Sequence, residues 1–204
     1  MNNYIKIKNL TKKYEKNKSI KVLNDITFNF EPGKTYSIMG PSGSGKSTLL
    51  NLLSLIDNPT SGSIEINNNK IKSNNKVEND LIRAKKIGII YQDKNLLSDF
   101  TALENVYLPN LLVSKEKQRS IELAKKLLKN VGMSSRINHF PNELSGGENQ
   151  RIAIARALIN NPDIILADEP TGSLDSDNAK LVFKILFNLK NKNRIIIFAT
   201  HNRY

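Results

Sequence analysis

The chain has 204 residues, 39% hydrophobic and 25% charged, a balance that suits one globular domain, residues 1 to 204, built on one sizeable core. No apolar run reaches the ~18 residues that a spanning helix needs, and MNNYIKIKNL lacks the apolar centre of a signal peptide, so the chain is expected in the cytosol. The absence of cysteine excludes disulfides and thiolate metal sites, and the net charge of +12 is spread as scattered lysines among many asparagines, without the Arg-rich stripe that nucleic-acid binding favours.

Short β-rich runs open the chain: YIKIKNL at 4 to 10, ITFNF at 26 to 30 and TYSIM at 35 to 39. TYSIM runs into GPSGSGKST, which fits the phosphate-loop pattern G-x-x-x-x-G-K-[ST] at Gly40, Gly45, Lys46 and Ser47. Gly40, Pro41, Ser42, Gly43, Ser44 and Gly45 would wrap the backbone around phosphates, while a helix opening near Lys46 turns its positive end to the anion. In this reading Lys46 neutralises the β- and γ-phosphates of ATP and the Ser47 hydroxyl, beside Thr48, ligates Mg²⁺.

KSTLLNLLSLI predicts a helix over 46 to 56 and SIEI a strand over 63 to 66, after which the polar stretch NNNKIKSNNKVEND, 67 to 80, reads as an exposed hairpin and loop. IGIIY at 87 to 91 is the next strand. From about Asp93 to Leu144 the strand signal vanishes, and TALENVYLPNLL (101 to 112) and KEKQRSIELAKKLLKNVG (115 to 132) are helical, so 93 to 144 reads as a helical subdomain inserted into an α/β core of residues 1 to 92 and 145 to 204.

LSGGENQR, 144 to 151, sets a serine and two glycines ahead of the helical run GENQRIAIARALIN (147 to 160), a second helix start able to meet an anion or simply an ordinary helix cap. The strand DIILA, 163 to 167, then ends in Asp168, Glu169 and Pro170. Asp168 is suited to hold Mg²⁺ through its hydration shell and Glu169 to act as general base on the attacking water. Adjacent strand residues point to opposite faces, so both carboxylates reach one nucleotide only if the strand is ending there. SDNAKLVFKILFNLK, 176 to 190, predicts a further helix, and RIIIFAT, 194 to 200, a last strand before His201. Strands separated by helices, several of them apolar on both faces, imply an α/β fold with a largely parallel sheet.

GPSGSGKST, LSGGENQR, ILADEPTGSLDS and FATH occur in the order and spacing of the nucleotide-binding subunit of ABC transporters, and the resemblance covers essentially the whole chain. It implies a P-loop NTPase, ABC-type core with a largely parallel sheet, an antiparallel β region and the inserted helical subdomain. It also implies ATP and Mg²⁺ as cofactors, and a head-to-tail dimer in which Ser145, Gly146 and Gly147 cap the γ-phosphate held by the other copy. By the same resemblance Gln92 contacts Mg²⁺ and water, Asp175 touches the opposite active site and His201 reads the γ-phosphate. Tyr14 falls where the family stacks a ring on adenine, with core packing as its other reading. The partners implied are a second ABC domain and an integral membrane permease, with no nucleic acid expected. The subunit would lie peripherally on the inner membrane face, where a lysine-rich surface is favoured.

Two departures from the family pattern stand out. Glu148 replaces the fifth signature residue, Gln, as in the branch that resembles lipoprotein-releasing and macrolide-export ATPases. The chain also stops at Tyr204, three residues after His201, where most of the family continues, either as a truncated form or as a short ATPase resembling those of bacteriocin export in the lactococcin 972 group. The wording QDKNLLSDFTALENV likewise points to exporters of peptides, lipid-linked proteins or amphipathic antibiotics. A nucleic-acid- or ribosome-associated ABC-type ATPase is the competing reading, which the +12 charge favours slightly. An idle regulatory subunit is disfavoured, because Lys46, Gln92, Asp168, Glu169 and His201 are all present.

Overall fold

The computed structural model describes residues 4–16 and 18–201. An antiparallel sheet of order β2-β1-β4-β5 is formed by β1 (Ile5–Lys16), β2 (Lys18–Phe30), β4 (Ser61–Ile66) and β5 (Asn69–Lys70). A parallel sheet of order β3-β8-β7-β6 is formed by β3 (Thr35–Met39), β6 (Ile87–Ile90), β7 (Ile164–Asp168) and β8 (Ile195–Thr200). Six α-helices accompany the sheets among the described residues: α1 (Lys46–Leu53), α2 (Lys76–Lys86), α3 (Ala102–Ser114), α4 (Lys117–Asn130), α5 (Gly146–Leu158) and α6 (Ser176–Asn188).

The parallel strands carry apolar residues at successive positions because both faces are covered. Ile164 and Leu166 of β7, with Ile195, Ile197 and Ala199 of β8, pack against the leucines of α1 and the inner face of the antiparallel sheet. Ile165, Ala167 and Ile196 point the other way, onto Ile154 and Leu158 of α5 and Val182 and Leu186 of α6. A third apolar cluster joins Val106 of α3 and Ala124 and Leu128 of α4 to Ile152, Ala155 and Ile159 on another face of α5 and its end. Helix α5 is thus shared between the sheet and the helical region. Its fully buried isoleucines are each worth about 1.5–3 kcal/mol of burial.

The first two strands run past the expected 4 to 10 and 26 to 30, because their polar ends pair as a long ribbon with register shifts between Ile7 and Lys13. Asn9 takes a positive φ of 50° at this irregularity. Gly62 lies against it with φ 89°, and a Cβ there would overlap the Asn9 carbonyl. Periodicity over a short window does not register such a bulge, since its pairing is set by β4.

Residues 67 to 80 correct the expected hairpin and loop. The hairpin forms between β4 and β5, but helix α2 begins at Lys76. Asn75 caps it, accepting from Glu78 N, and Asn79 is buried with Nδ2 donating to Lys72 O at 2.9 Å. The helix predicted over 115 to 132 starts at Lys117, because α3 continues to Ser114 and the chain turns through Lys115 with φ 60°. Helix α1 ends at Leu53, three residues before the expected end, where Leu55 adopts φ 61°. Among the described residues no helix is long and apolar enough to cross a membrane.

Candidate functional site

Strand β3 delivers the chain to a loop whose shape depends on glycine. Gly43 has φ 79° and Gly45 φ 90°, backbone that residues with a Cβ rarely adopt. Gly45 is also pressed against β2, a Cβ there lying 3.0 Å from Leu23 Cδ2 and 3.1 Å from the Val22 carbonyl oxygen. It caps α1 with no side-chain hydrogen bond, so the amides of the first helical turn, which have no intrahelical partner, are left to an anion. Lys46, only 7% exposed, donates from Nζ to Gly40 O at 2.9 Å and Pro41 O at 3.0 Å, curling the loop around its own ammonium.

Opposite the loop stand two consecutive carboxylates. Strand β7 ends at Asp168, and Glu169 adopts a left-handed φ of 43° while its N–H donates to Ala199 O at 2.9 Å. That turn breaks the alternation of the strand, so both side chains line the same cavity. Glu169 Oε1 lies 2.9 Å from His201 Nδ1 and 4.0 Å from Lys46 Nζ. Gln92, just after β6, completes the wall, and a Cβ on Gly172 would lie 3.3 Å from Glu169 Oε2 and 3.4 Å from Gln92 Nε2.

The cavity has a volume of about 810 Å³ and brings together Pro41, Ser42, Gly43, Gly45, Lys46, Ser47, Thr48, Gln92, Asp168, Glu169 and His201, with Val22 at its edge. Gly40 and Ser44 do not line it, and a Cβ on Gly40 would lie 2.7 Å from Ser44 Oγ. Tyr14 does not line it either. Its half-exposed ring carries Lys12 Nζ at 4.8 Å from the centroid, and its hydroxyl donates to Asp57 Oδ2 at 3.0 Å. Among the described residues no three His, Cys, Asp or Glu side chains cluster to hold a metal. Among the groups lining the cavity, the Ser47 hydroxyl, the Gln92 amide and the Asp168 and Glu169 carboxylates are oxygen donors that suit a hard cation taking its remaining ligands from phosphate and water.

Ser145, Gly146, Gly147 and Asp175 are outside this cavity. Ser145 caps α5: its Oγ accepts from Glu148 N at 3.2 Å, and Glu148 Oε2 accepts from Ser145 N at 2.8 Å. Glu148 also pairs with Arg136 at 3.3 Å. The Ser145 N–H holds the Glu148 carboxyl below its ordinary range, although partial burial opposes the shift. Asp175 caps α6, accepting from Asn178 N at 2.9 Å and Asp177 N at 3.1 Å, and the Asn178 N–H, followed by the Asn178 carboxamide, holds its carboxyl below the ordinary range.

Sequence reading missed two residues of α5 that hold the segment around Gln92. Gln150, 1% exposed, points Nε2 at Tyr91 O at 3.4 Å. Arg156 donates from Nη1 to Asn95 O at 2.6 Å and from Nη2 to Lys94 O at 2.8 Å, and burial pushes its guanidinium below its usual range. The available signal was a polar residue on an inward face of an amphipathic helix. Periodicity does not say which carbonyl it meets.

The ABC transporter family profile matches residues 23–172. The chain is 46% identical over 203 residues to the lipoprotein-releasing system ATP-binding protein LolD of Rickettsia bellii, an alignment that spans 98% of this chain and 90% of that one. It is 48% identical over 207 residues to the LolD protein of Wigglesworthia glossinidia brevipalpis, across 99% and 90% of the two chains. Its fold is similar to a dimeric post-hydrolysis structure of the ATP-binding cassette MJ0796 bound to ADP and Pi, with a TM-score of 0.88, 42% identity, and coverage of 97% of this chain and 88% of that one.

Proposed function

The chain belongs to the ABC transporter family as an ATP-binding, ATP-hydrolysing subunit, and from that premise we propose that two copies, or this chain and another ABC domain, close head to tail on ATP to drive a separate membrane permease. The observation that carries this reading is the convergence of Lys46, Glu169 and His201 on one cavity, with Glu169 Oε1 within 2.9 Å of His201 and 4.0 Å of Lys46.

In this mechanism the amides of the loop and Lys46 bind the phosphates, and Glu169 takes the proton of the water that attacks the γ-phosphorus as its bond to the bridging oxygen breaks and ADP leaves. His201 holds the Glu169 carboxylate in position and senses the γ-phosphate. Ser47, Gln92 and Asp168 would hold Mg²⁺, and the ion would supply charge that neutralises the phosphates. Ser145, Gly146 and Gly147 present the start of α5 to the phosphate bound by the partner, and Asp175 lies beside that contact. Tyr14 is assigned to the adenine. Closure follows because ATP bound between two chains favours the closed pair over the open one.

Residues 93 to 144 act as a helical arm on the core of 1 to 92 and 145 to 204. The permease docks beside Gln92, a role supported by a groove of about 380 Å³ that includes Tyr91, Asn95, Pro109 and Leu112, the last of them 81% exposed. The subunit thereby sits at the inner face of the membrane. The cargo, by similarity to lipoprotein-releasing proteins, is a lipid-linked protein, with a peptide such as a bacteriocin or an amphipathic antibiotic as the wider class. The test is a pull-down of tagged Glu169→Gln chain from detergent-solubilised membranes in ATP and Mg²⁺. A multi-spanning permease in the eluate supports the reading, and ribosomes or nucleic acid without one overturn it.

A further inference from the structure

Asn178, in the first turn of α6, has both ends of its carboxamide engaged. Its Oδ1 accepts from Arg151 Nη1 at 3.1 Å, and its Nδ2 donates to Asp175 Oδ2 at 2.7 Å. Its backbone N–H donates to Asp175 Oδ1 at 2.9 Å. The same carboxamide lies against the start of α5, so that a Cβ on Gly147 would overlap Asn178 Oδ1 and Cγ and lie 2.9 Å from Nδ2. Arg151 stands one turn after Gly147 on the same helix face, and its Nε is buried without a partner, which leaves the bond to Asn178 as a principal anchor of the guanidinium.

A side chain on Gly147 would therefore displace the Asn178 carboxamide from its bonds to Arg151 and Asp175, a constraint internal to one chain and apart from any phosphate. The Asn178 side chain bridges the two helix starts that carry Gly147 and Asp175. We propose that Asn178 is a positioning residue: it locks the first turn of α5 to the cap of α6, so that the Ser145–Gly147 turn and Asp175 are presented to the partner subunit as one rigid surface. This rests on the head-to-tail reading above, since only there do both segments meet the other chain's nucleotide. Asn178 itself touches no reacting atom in this arrangement.

The two contacts can be separated by substitution. Asn178→Ala removes both bonds. Asn178→Asp keeps an acceptor for Arg151 but sets a second carboxylate against Asp175, which breaks the donor contact and adds repulsion. The experiment measures ATP-dependent dimerisation by sedimentation in the Glu169→Gln chain with Mg²⁺, beside binding of a fluorescent ATP analogue at protein concentrations where the chain is monomeric. With Asn178→Ala, and again with Asn178→Asp, the dimer dissociation constant is expected to rise about tenfold, the effect of having to order the freed helix starts on closure, while the monomer's nucleotide affinity changes less than about twofold. In chains that keep the native Glu169, either Asn178 substitution lowers kcat at unchanged KM.

Equal dimerisation by the parent and both Asn178 variants overturns the proposal. So does a parallel loss of monomer nucleotide binding, which would mark Asn178 as a general structural residue. A Glu169→Gln parent that binds ATP yet stays monomeric overturns the head-to-tail reading, and the proposal with it.

Discussion

His201 Nδ1 and Glu169 Oε1 are 2.9 Å apart across the ends of β8 and β7, and Lys46 Nζ approaches the same oxygen to 4.0 Å. The geometry is produced by one backbone distortion, the left-handed turn at Glu169, pinned by its N–H to Ala199 O at 2.9 Å. A residue with a Cβ held at φ 43° is worth attention at a functional site, because such conformations persist only where the surroundings enforce them.

Glu169→Gln is expected to retain ATP binding and to lose turnover by about 10²- to 10⁴-fold, the range for removal of a general base. His201→Ala is expected to lose turnover too, since it frees the Glu169 carboxylate. Steady-state hydrolysis with a parallel nucleotide-binding titration checks both. Hydrolysis by Glu169→Gln at the wild-type rate would remove Glu169 from the mechanism.

Ser145→Arg is expected to block closure of the dimer while leaving each chain able to bind ATP, because Ser145 lies outside the cavity in its own chain. The substitution also deletes the Oγ cap of Glu148 N, costing about 1 kcal/mol of stability. Thermal denaturation of Ser145→Ala measures that cost alone. Dimerisation in ATP then separates the steric effect from the capping effect.

The pH dependence of stability should carry a signature of Glu148. Its carboxyl is held below its ordinary value of 4.5, first by the N–H of Ser145 and further by Arg136. A depressed folded-state pKa contributes stability that is present above the unfolded value and is lost as pH falls through the folded one. Glu148→Gln should therefore melt below wild type at neutral pH, and the difference should shrink below about pH 4.5. Melting curves from pH 7 to pH 3 decide it, and a constant offset would mean that the ionised cap contributes nothing.

Arg156→Lys is expected to destabilise the chain by about 0.5 to 1.5 kcal/mol, the net worth of a hydrogen bond lost at a partly exposed carbonyl. One ammonium cannot reproduce the two guanidinium bonds to Lys94 O and Asn95 O. Denaturant titration gives the magnitude. Faster proteolysis near residues 93 to 97 in the folded protein would locate the loosening.

Gly62→Ala should destabilise through a different route, combining positive φ with overlap of the Asn9 carbonyl. A cost of about 1 to 3 kcal/mol is expected from the strained backbone, read as a lower melting temperature with ATP affinity unchanged.

The sequence by itself determined the contiguous chemistry of this protein. GPSGSGKST, DIILADEP and LSGGENQR each hold their donors within a few residues, and strand runs such as IGIIY and RIIIFAT announce a sheet covered on both faces because burial on both sides removes alternation. Local patterns failed where a partner distant in sequence sets the outcome. Helix α2 was hidden in an asparagine-rich stretch whose Asn75 cap and buried Asn79 look like loop residues, and the β1–β2 ribbon was cut short at a bulge that Gly62 of β4 accommodates. Only the tertiary structure decided which oxygen His201 faces, that Arg156 holds the carbonyls after Gln92, and that Asn178 fills the space a side chain on Gly147 would need. These contacts join residues dozens of positions apart, and their distances follow from how β7, α5 and α6 pack, a property that no window of neighbouring residues encodes.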